Sequence, residues 1–413
     1  MVLIKFIRFN YYLFALTCLM LACYVASPAP PALAAVNGAL KVVSNHVLTT
    51  DGKIYVPEGI SVYGGLEDAN YMENLANDNA QIIAAAKYWH ANTIRLQVAE
   101  GNLFTIHTRG KSYNNEFLQT LIKQVNLAHS HGMAVVINDQ TEFTSRISGP
   151  TIETSKFWKI ISNTFKNQPF VIFDLFNEPN YKKVIKSDVQ PTGFTIYRIF
   201  GVAGKTVRQH HKSQISSNKI WNIWENGGRL NGISYLGMQT LVNQIRSYDV
   251  NNIIWIEGPN QARYLPNSSQ LINGSNIVYS IHHPNLNNPV SWDAIGNLSS
   301  IAPVVDGEWA QYESTRPECY SLAYTNAPLY LNYLHQHNVG VIAWSLQANS
   351  LLQGNRFAAP TNTNIPNDPT DATALKKPNK IFSSYSCSNI YGQGVGQLIQ
   401  SYFEQNSVNF SSL

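Results

Sequence analysis

Two glutamates stand where a carboxylate can do chemistry. Glu178 closes the run FVIFDLFNEP (170–179), and Glu308 follows PVVDG (303–307). The first run is apolar and β-rich, interrupted only by Asp174, and reads as a strand buried on both faces. Pro179 cannot donate to a sheet ladder, so the strand stops there and holds Glu178 at its C-terminal tip. Two carboxylates facing each other across a cleft suit cleavage of a glycosidic bond. One stays protonated to donate to the leaving oxygen, the other stays ionised to attack the anomeric carbon, and unlike surroundings separate their pKa values. A lone strand-end Glu is more often solvated or ion-paired than catalytic. A matched pair, each beside a rigid or aromatic neighbour (Pro179, Trp309), favours chemistry.

The rest of the chain must bring the two together. Ala39 to Val47 is extended in character, Asp51-Gly52 signals a hairpin, and Lys53 to Val56 returns. Strands and helices then alternate. The spacing predicts strands at Ile60–Tyr63, Thr93–Val98, Met133–Asn138, Phe170–Phe176, Asn252–Glu257, Ile277–His282, Pro303–Gly307 and Gly340–Leu346. It predicts helices at Ala80–His90, Glu116–His131, Ser155–Phe165, Ser234–Tyr248, Pro328–His337 and Val395–Glu404. The closed solution is an α/β fold, a (β/α)8 TIM barrel with a short N-terminal hairpin cap. An open doubly wound sheet is disfavoured, because no Gly-rich phosphate loop follows an early strand. Long βα loops follow strands 4 and 8. The first, with a candidate helix at 194–209, holds Lys182, Lys183, Lys186, Lys205, Arg208, His210-His211, Trp221 and Trp224; the second runs from Leu351 to Gln393. In a barrel the strand ends converge, which gathers Arg95, Gln140, Asn177, Glu178, Glu257, His282, Glu308 and Trp344 at one mouth.

Composition sets the outer limits. The 413 residues are 44% hydrophobic, enough for a large core. A net charge of +4, evenly spread, makes no case for nucleic acid, whereas an 11% aromatic share suits flat neutral ligands. Residues 1–34 read as a signal peptide: Lys5 and Arg8, an uncharged apolar run from Tyr11 to Val25, then Ala32-Leu33-Ala34 as a cleavage site. That run is shorter than the ~20 residues a spanning helix needs, so cleavage is favoured over an uncleaved anchor. Cys23 is a looser match to a lipidated cysteine. The mature chain (35–413) is then a single catalytic domain, secreted or periplasmic, monomeric and without stable membrane insertion. Its remaining cysteines, Cys319 and Cys387, are expected to pair across the seventh and eighth βα loops; two separate thiols are the alternative. No metal is expected: His282-His283 point to opposite faces of a strand, His129 and His131 do not face each other on a helix, and no HExxH or CxxC occurs.

On these residues the chain resembles glycoside hydrolase family 5, over nearly all of the mature sequence. Asn177-Glu178-Pro179 is similar to that family's acid/base signature and Glu308-Trp309 to its nucleophile signature; Arg95 in TIRLQV, His282 in YSIHH and Trp344 in AWSL match further positions. The resemblance implies Glu178 as acid/base, Glu308 as nucleophile, Asn177 on the sugar 2-hydroxyl, Arg95 keeping the nucleophile ionised, and Trp344 stacked beneath the sugar. The chain departs from the family at Gln140, where a histidine is usual, and at Pro284, where a tyrosine is usual, with Tyr312 a candidate substitute. Trp221, Trp224, Trp292, Trp309 and Tyr63 are further candidate sugar platforms, and Glu257 either lines the groove or forms an ion pair behind it.

The activity expected is that of a retaining endo-β-glycanase on a β-linked polysaccharide or oligosaccharide, glucan or mannan, without a cofactor. A sugar-binding barrel that has lost catalysis, or a transglycosylase with the same two carboxylates, are the alternatives.

Overall fold

The computed structural model describes residues 38–68, 71–104, 113–141, 147–181, 217–282, 289–309, 318–346, 351–352, 371–378 and 395–409. The expected signal segment, the candidate helix at 194–209, His210-His211, His283, Pro284, Tyr312, Cys387, the side chain of Cys319 and most of the 351–393 loop lie outside them.

The chain opens with an antiparallel hairpin, β1 (Lys41–Val43) and β2 (His46–Leu48). The expected single extended segment is thus folded once, at Ser44, whose φ of 54° supplies the turn. Asp51-Gly52 turns as predicted and leaves one bridge, Leu48 to Ile54. Strands β3 (Glu58–Ser61), β4 (Thr93–Val98), β5 (Ala134–Asp139) and β6 (Val171–Asp174) follow, each parallel to the last. A second hairpin, β7 (Gly227–Leu230) and β8 (Ile233–Leu236), interrupts them. Then β9 (Ile254–Glu257), β10 (Ile277–His282), β11 (Val304–Trp309) and β12 (Gly340–Ala343) complete a closed eight-stranded barrel, β12 pairing with β3. The fold is a (β/α)8 barrel.

The connecting helices are α1 (Tyr71–Trp89), α2 (Glu100–Leu103), α3 (Asn115–Ser130), α4 (Ile152–Phe165), α5 (Ser217–Asn226), α6 (Met238–Arg246), α7 (Asp293–Ser299), α8 (Glu318–Gln336) and α9 (Val395–Asn409). Their ends follow local chemistry. Asn114 accepts from the N–H groups of Glu116 and Phe117, and Thr151 forms a capping box with Thr154. Two predicted helices are corrected. Residues 233–236 are strand, so α6 begins only at Met238; the Asn231-Gly232 turn, with φ of 50° and 87°, was a hairpin signal. Pro328 lies inside α8, although a proline reads as a helix start. Part of the long last loop is ordered against the barrel, with a 3-10 turn at Ala372–Lys376 whose Leu375 carbonyl accepts from Trp89 Nε1 at 2.9 Å.

Period two along the strands separates two environments. Outward residues such as Ile94, Leu96, Val135, Ile137, Phe173 and Ile256 pack beneath the helices. Inward residues change character with height. Ala134, Val136, Ile172, Trp255, Val278, Val305 and Ile342 form an apolar floor closed by Leu40, Val47 and Tyr55 of the N-terminal segment. Above that floor the inward positions become Arg95, Asn138, Asp174, Glu257, Ser280 and His282, all fully buried.

Candidate active site

Arg95 is the hub. Its guanidinium donates from Nη1 to Glu308 Oε1 at 2.5 Å, from Nε to Asp174 Oδ2 at 3.1 Å, and from Nη2 to Asn177 Oδ1 at 2.7 Å and Glu257 Oε1 at 3.1 Å. Asn138 donates to the same Asp174 oxygen at 3.0 Å. His282 reaches three carboxylates: Nδ1 lies 3.3 Å from Glu178 Oε1 and 3.6 Å from Glu308 Oε2, and Nε2 lies 3.2 Å from Glu257 Oε1. One carboxylate oxygen each from Glu178 and Glu308 and one imidazole nitrogen of His282 all lie within 4.8 Å of one another.

Two different backbone devices aim the two glutamates. Glu178 lies past the last residue of β6 and has φ 47°, a left-handed conformation costly for a side chain with a Cβ. Its N–H donates to Glu257 Oε2 at 2.6 Å, and the N–H of neighbouring Asn177 donates to Asp139 O at 2.8 Å. Beside it, Asn260, Gln261 and Ala262 are consecutively left-handed (φ 66°, 61° and 52°). This turn bridges two strand ends: the Gln261 N–H donates to Pro179 O at 3.1 Å, and Ala262 O accepts from the His282 N–H at 2.9 Å. Glu308 is instead aimed by a bulge. Asp306 pairs with Ile281 and Glu308 with His282, so Gly307 is an extra residue. Only glycine fits there, because a Cβ would stand 2.8 Å from His282 Nε2 and closer still to Ser280 Oγ.

Charge is dense and sealed. Asp174, Glu178, Glu257 and Glu308 are 9% exposed or less, and they face two cationic groups, Arg95 and His282. Burial alone would lower the His282 pKa, but the charges of Glu257 and Glu308 outweigh it and raise it well above the usual 6.5. Burial, reinforced by the Glu257 charge, pushes the Asp174 carboxyl up to about 8 against the opposing pull of Arg95. Burial likewise disfavours the Arg95 cation, yet Glu308, Asp174 and Glu257 keep it charged. Half-buried Glu67, in the loop after β3, is raised to about 8 by desolvation and then by the Glu308 charge.

Of the residues expected at the mouth, Arg95, Asn177, Glu178, Glu257, His282 and Glu308 form one bonded network. Glu257 is the ion pair of the two readings, with no exposed surface. Trp344, half-buried, meets the exposed ring of Tyr63 edge-on at 6.2 Å, beyond the ends of β12 and β3. Gln140 is buried at the end of β5, its N–H donating to Val98 O at 2.8 Å. Trp309 differs from expectation: fully buried, it packs outward with the helix-facing core and presents no face to a ligand. Trp224 is also buried, its Nε1 donating to Glu257 O at 2.7 Å, and Trp292 packs on Tyr330. The sequence reading missed Asp174 and Asn138. The available signal was a charge inside an otherwise apolar strand, which must find a buried partner.

The chain resembles known proteins in family and in fold. The family model for cellulase, glycosyl hydrolase family 5, matches residues 58–350. No curated protein matches the chain. Among solved structures, the catalytic domain of an endoglucanase from Thermobifida fusca is similar at 14% identity, covering 89% of this chain and 97% of its own, with a TM-score of 0.53. A β-glucanase from Saccharophagus degradans, solved with cellotetraose, is similar at 15% identity over 94% of this chain and 99% of its own, with a TM-score of 0.53. At such identities the likeness is one of fold.

Proposed function

The chain belongs to glycosyl hydrolase family 5 and is a glycoside hydrolase, and we propose that it is a secreted, retaining endo-β-glycanase working by double displacement. The observation that carries the retaining reading is the approach of the two glutamates. Their nearest carboxylate oxygens fall within 4.8 Å, whereas inverting enzymes separate their carboxyls by about 6.5–9.5 Å to admit a water.

The surroundings divide the roles. Glu308 is bonded directly to Arg95, which aims its carboxylate and suits it to attack the anomeric carbon. Glu178 meets the imidazole of His282, which suits it to carry a proton. In the first step Glu308 displaces the leaving sugar and forms a glycosyl-enzyme while Glu178 protonates the departing oxygen. In the second, Glu178 takes a proton from water, and the resulting hydroxide equivalent releases the sugar with Glu308 as leaving group. Asn177 binds the sugar 2-hydroxyl, and Trp344 with Tyr63 forms the platform.

A β-linked glucan is favoured over a mannan as substrate, supported by the cellotetraose bound in the Thermobifida and Saccharophagus proteins. Export rests on Lys5, Arg8, the apolar run and Ala32-Leu33-Ala34, with 35–413 as one catalytic domain. A Cys319–Cys387 bridge would suit an exported chain, and mass measurement without reduction decides it: two free thiols reject the bridge. The activity is tested by product analysis on a β-glucan and β-mannan panel, with the anomer followed by NMR. Retention of configuration is expected. Inversion, or binding without turnover, rejects the reading.

A further inference from the structure

Glu257 ends β9 without exposed surface, and its carboxylate touches three parts of the site at once. Oε1 accepts from Arg95 Nη2 at 3.1 Å and lies 3.2 Å from His282 Nε2, while Oε2 accepts the backbone N–H of Glu178 at 2.6 Å. The double displacement uses none of these contacts directly. We propose that Glu257 is a positioning residue which fixes the acid/base from two sides, through its own N–H and through the His282 imidazole.

The backbone contact comes first. Glu178 is held at φ 47° immediately before a proline, a combination a free chain rarely adopts. Its N–H is buried, so without an acceptor it would leave an unsatisfied donor. Glu257 supplies that acceptor and thereby fixes the torsion that points Glu178 across the mouth. The imidazole contact comes second. Nε2 lies 3.2 Å from Glu257 Oε1, an ion-pair approach that holds the ring so that Nδ1 faces Glu178 Oε1 and Glu308 Oε2. Protonated throughout, Nδ1–H donates to Glu178, and the contact persists as the Glu178 carboxylate forms when its own proton passes to the leaving oxygen. Both halves of the cycle are thus served by one imidazole that does not move.

The groups facing His282 are Glu257 from β9, Glu178 beyond β6, Asp174 within β6 and Glu308 from β11, with Arg95 from β4 bonded among them. Their charges hold the imidazole pKa well above its usual value against the opposing effect of burial. A histidine raised in this way is protonated below its folded pKa and loses that proton only as pH climbs through it. The basic limb of the activity profile should therefore report His282, and Glu257 should set where it falls.

The proposal rests on the glycanase reading for its reaction, though not for its geometry, and the test separates the two. His282 is followed by 15N NMR of histidine-labelled full-length protein, its signal assigned against His282→Gln. In the wild type it is expected to be protonated at pH 7, and in Glu257→Gln to titrate about one pH unit lower or more. In the same variant kcat should fall about 10–100-fold with little change in KM, and the basic limb should move to lower pH. Glu257→Asp should restore the His282 titration but not kcat, because the shorter chain cannot also reach the Glu178 N–H. A neutral His282 in the wild type at pH 7 overturns the proposal, whether or not any variant folds. So does a Glu257→Gln variant with wild-type titration and kcat. If the wild type cleaves no β-glycan, the reaction reading fails while the titrations still decide what Glu257 holds.

Discussion

The barrel buries carboxyl groups at both ends, and the two ends treat them in opposite ways. At the mouth, Glu257 and Glu308 bond Arg95 and stand beside His282, so each has cationic partners inside the barrel. At the floor, Glu58 stands alone, with Asn406 of α9 donating to it at 2.7 Å. Burial, only partly offset by that bond, pushes its carboxyl up to about 8. Near it, Tyr55 OH bonds Thr93 Oγ1 at 2.6 Å, and Asn92 ties Val56 O to the Glu58 N–H. The same side chain is a neutral strut in one place and a charged tool in the other. The difference lies in whether a cation was supplied with it.

Breaking the charged end should have the largest effect. Glu308→Gln is expected to lower kcat by about 10⁴-fold or more on a β-glucan with folding unchanged, and a smaller loss would move the nucleophile elsewhere. Arg95→Lys comes next. A lysine cannot serve Glu308, Asp174, Asn177 and Glu257 from one plane, so kcat/KM should fall about 100-fold and the melting temperature should drop.

The floor should respond in stability rather than rate. Glu58 binds its proton more tightly folded than unfolded, so its contribution to stability is greatest below the ordinary carboxyl pKa of about 4.5 and is lost as pH rises towards about 8. Glu58→Gln should therefore gain about 4 kcal/mol on the wild type between pH 5 and pH 8.5 in urea unfolding, with kcat unchanged. A loss of activity there would dissolve the distinction between the two ends. The smallest effect is expected at Ala262, left-handed in the turn that joins Pro179 to His282: Ala262→Gly should stabilise by about 0.5–1 kcal/mol in thermal unfolding.

The same contrast explains what the sequence disclosed. The eight strands were legible because strands buried on both faces form short apolar runs, and Glu178 and Glu308 were legible because they end such runs beside Pro179 and Trp309. Asp174 was seen only as an interruption, since one strand does not reveal that its inward neighbours are Arg95 and Asn138. Trp309 was misplaced because the bulge at Gly307 turns it outward, and a bulge depends on the partner strand. The hairpin β7–β8 was missed despite Asn231-Gly232, whose turn signal lay inside a stretch read as a helix. The start of α8 was displaced because Pro328 was weighed as a local signal, whereas packing of the finished helix decides.

The bulge also separates the two glutamates as parts that could be transplanted. Glu308 faces inward because the bulge at Gly307 resets the alternation: Asp306 bonds Tyr330 on the helix side, and without the bulge the same residue count would throw the Glu308 carboxylate to that side too. Glu178 faces the mouth because a torsion beyond the ladder was bent, so it is insensitive to strand count and sensitive to what grips its N–H. A designer moving this chemistry to another barrel would copy a length at one position and a clamp at the other.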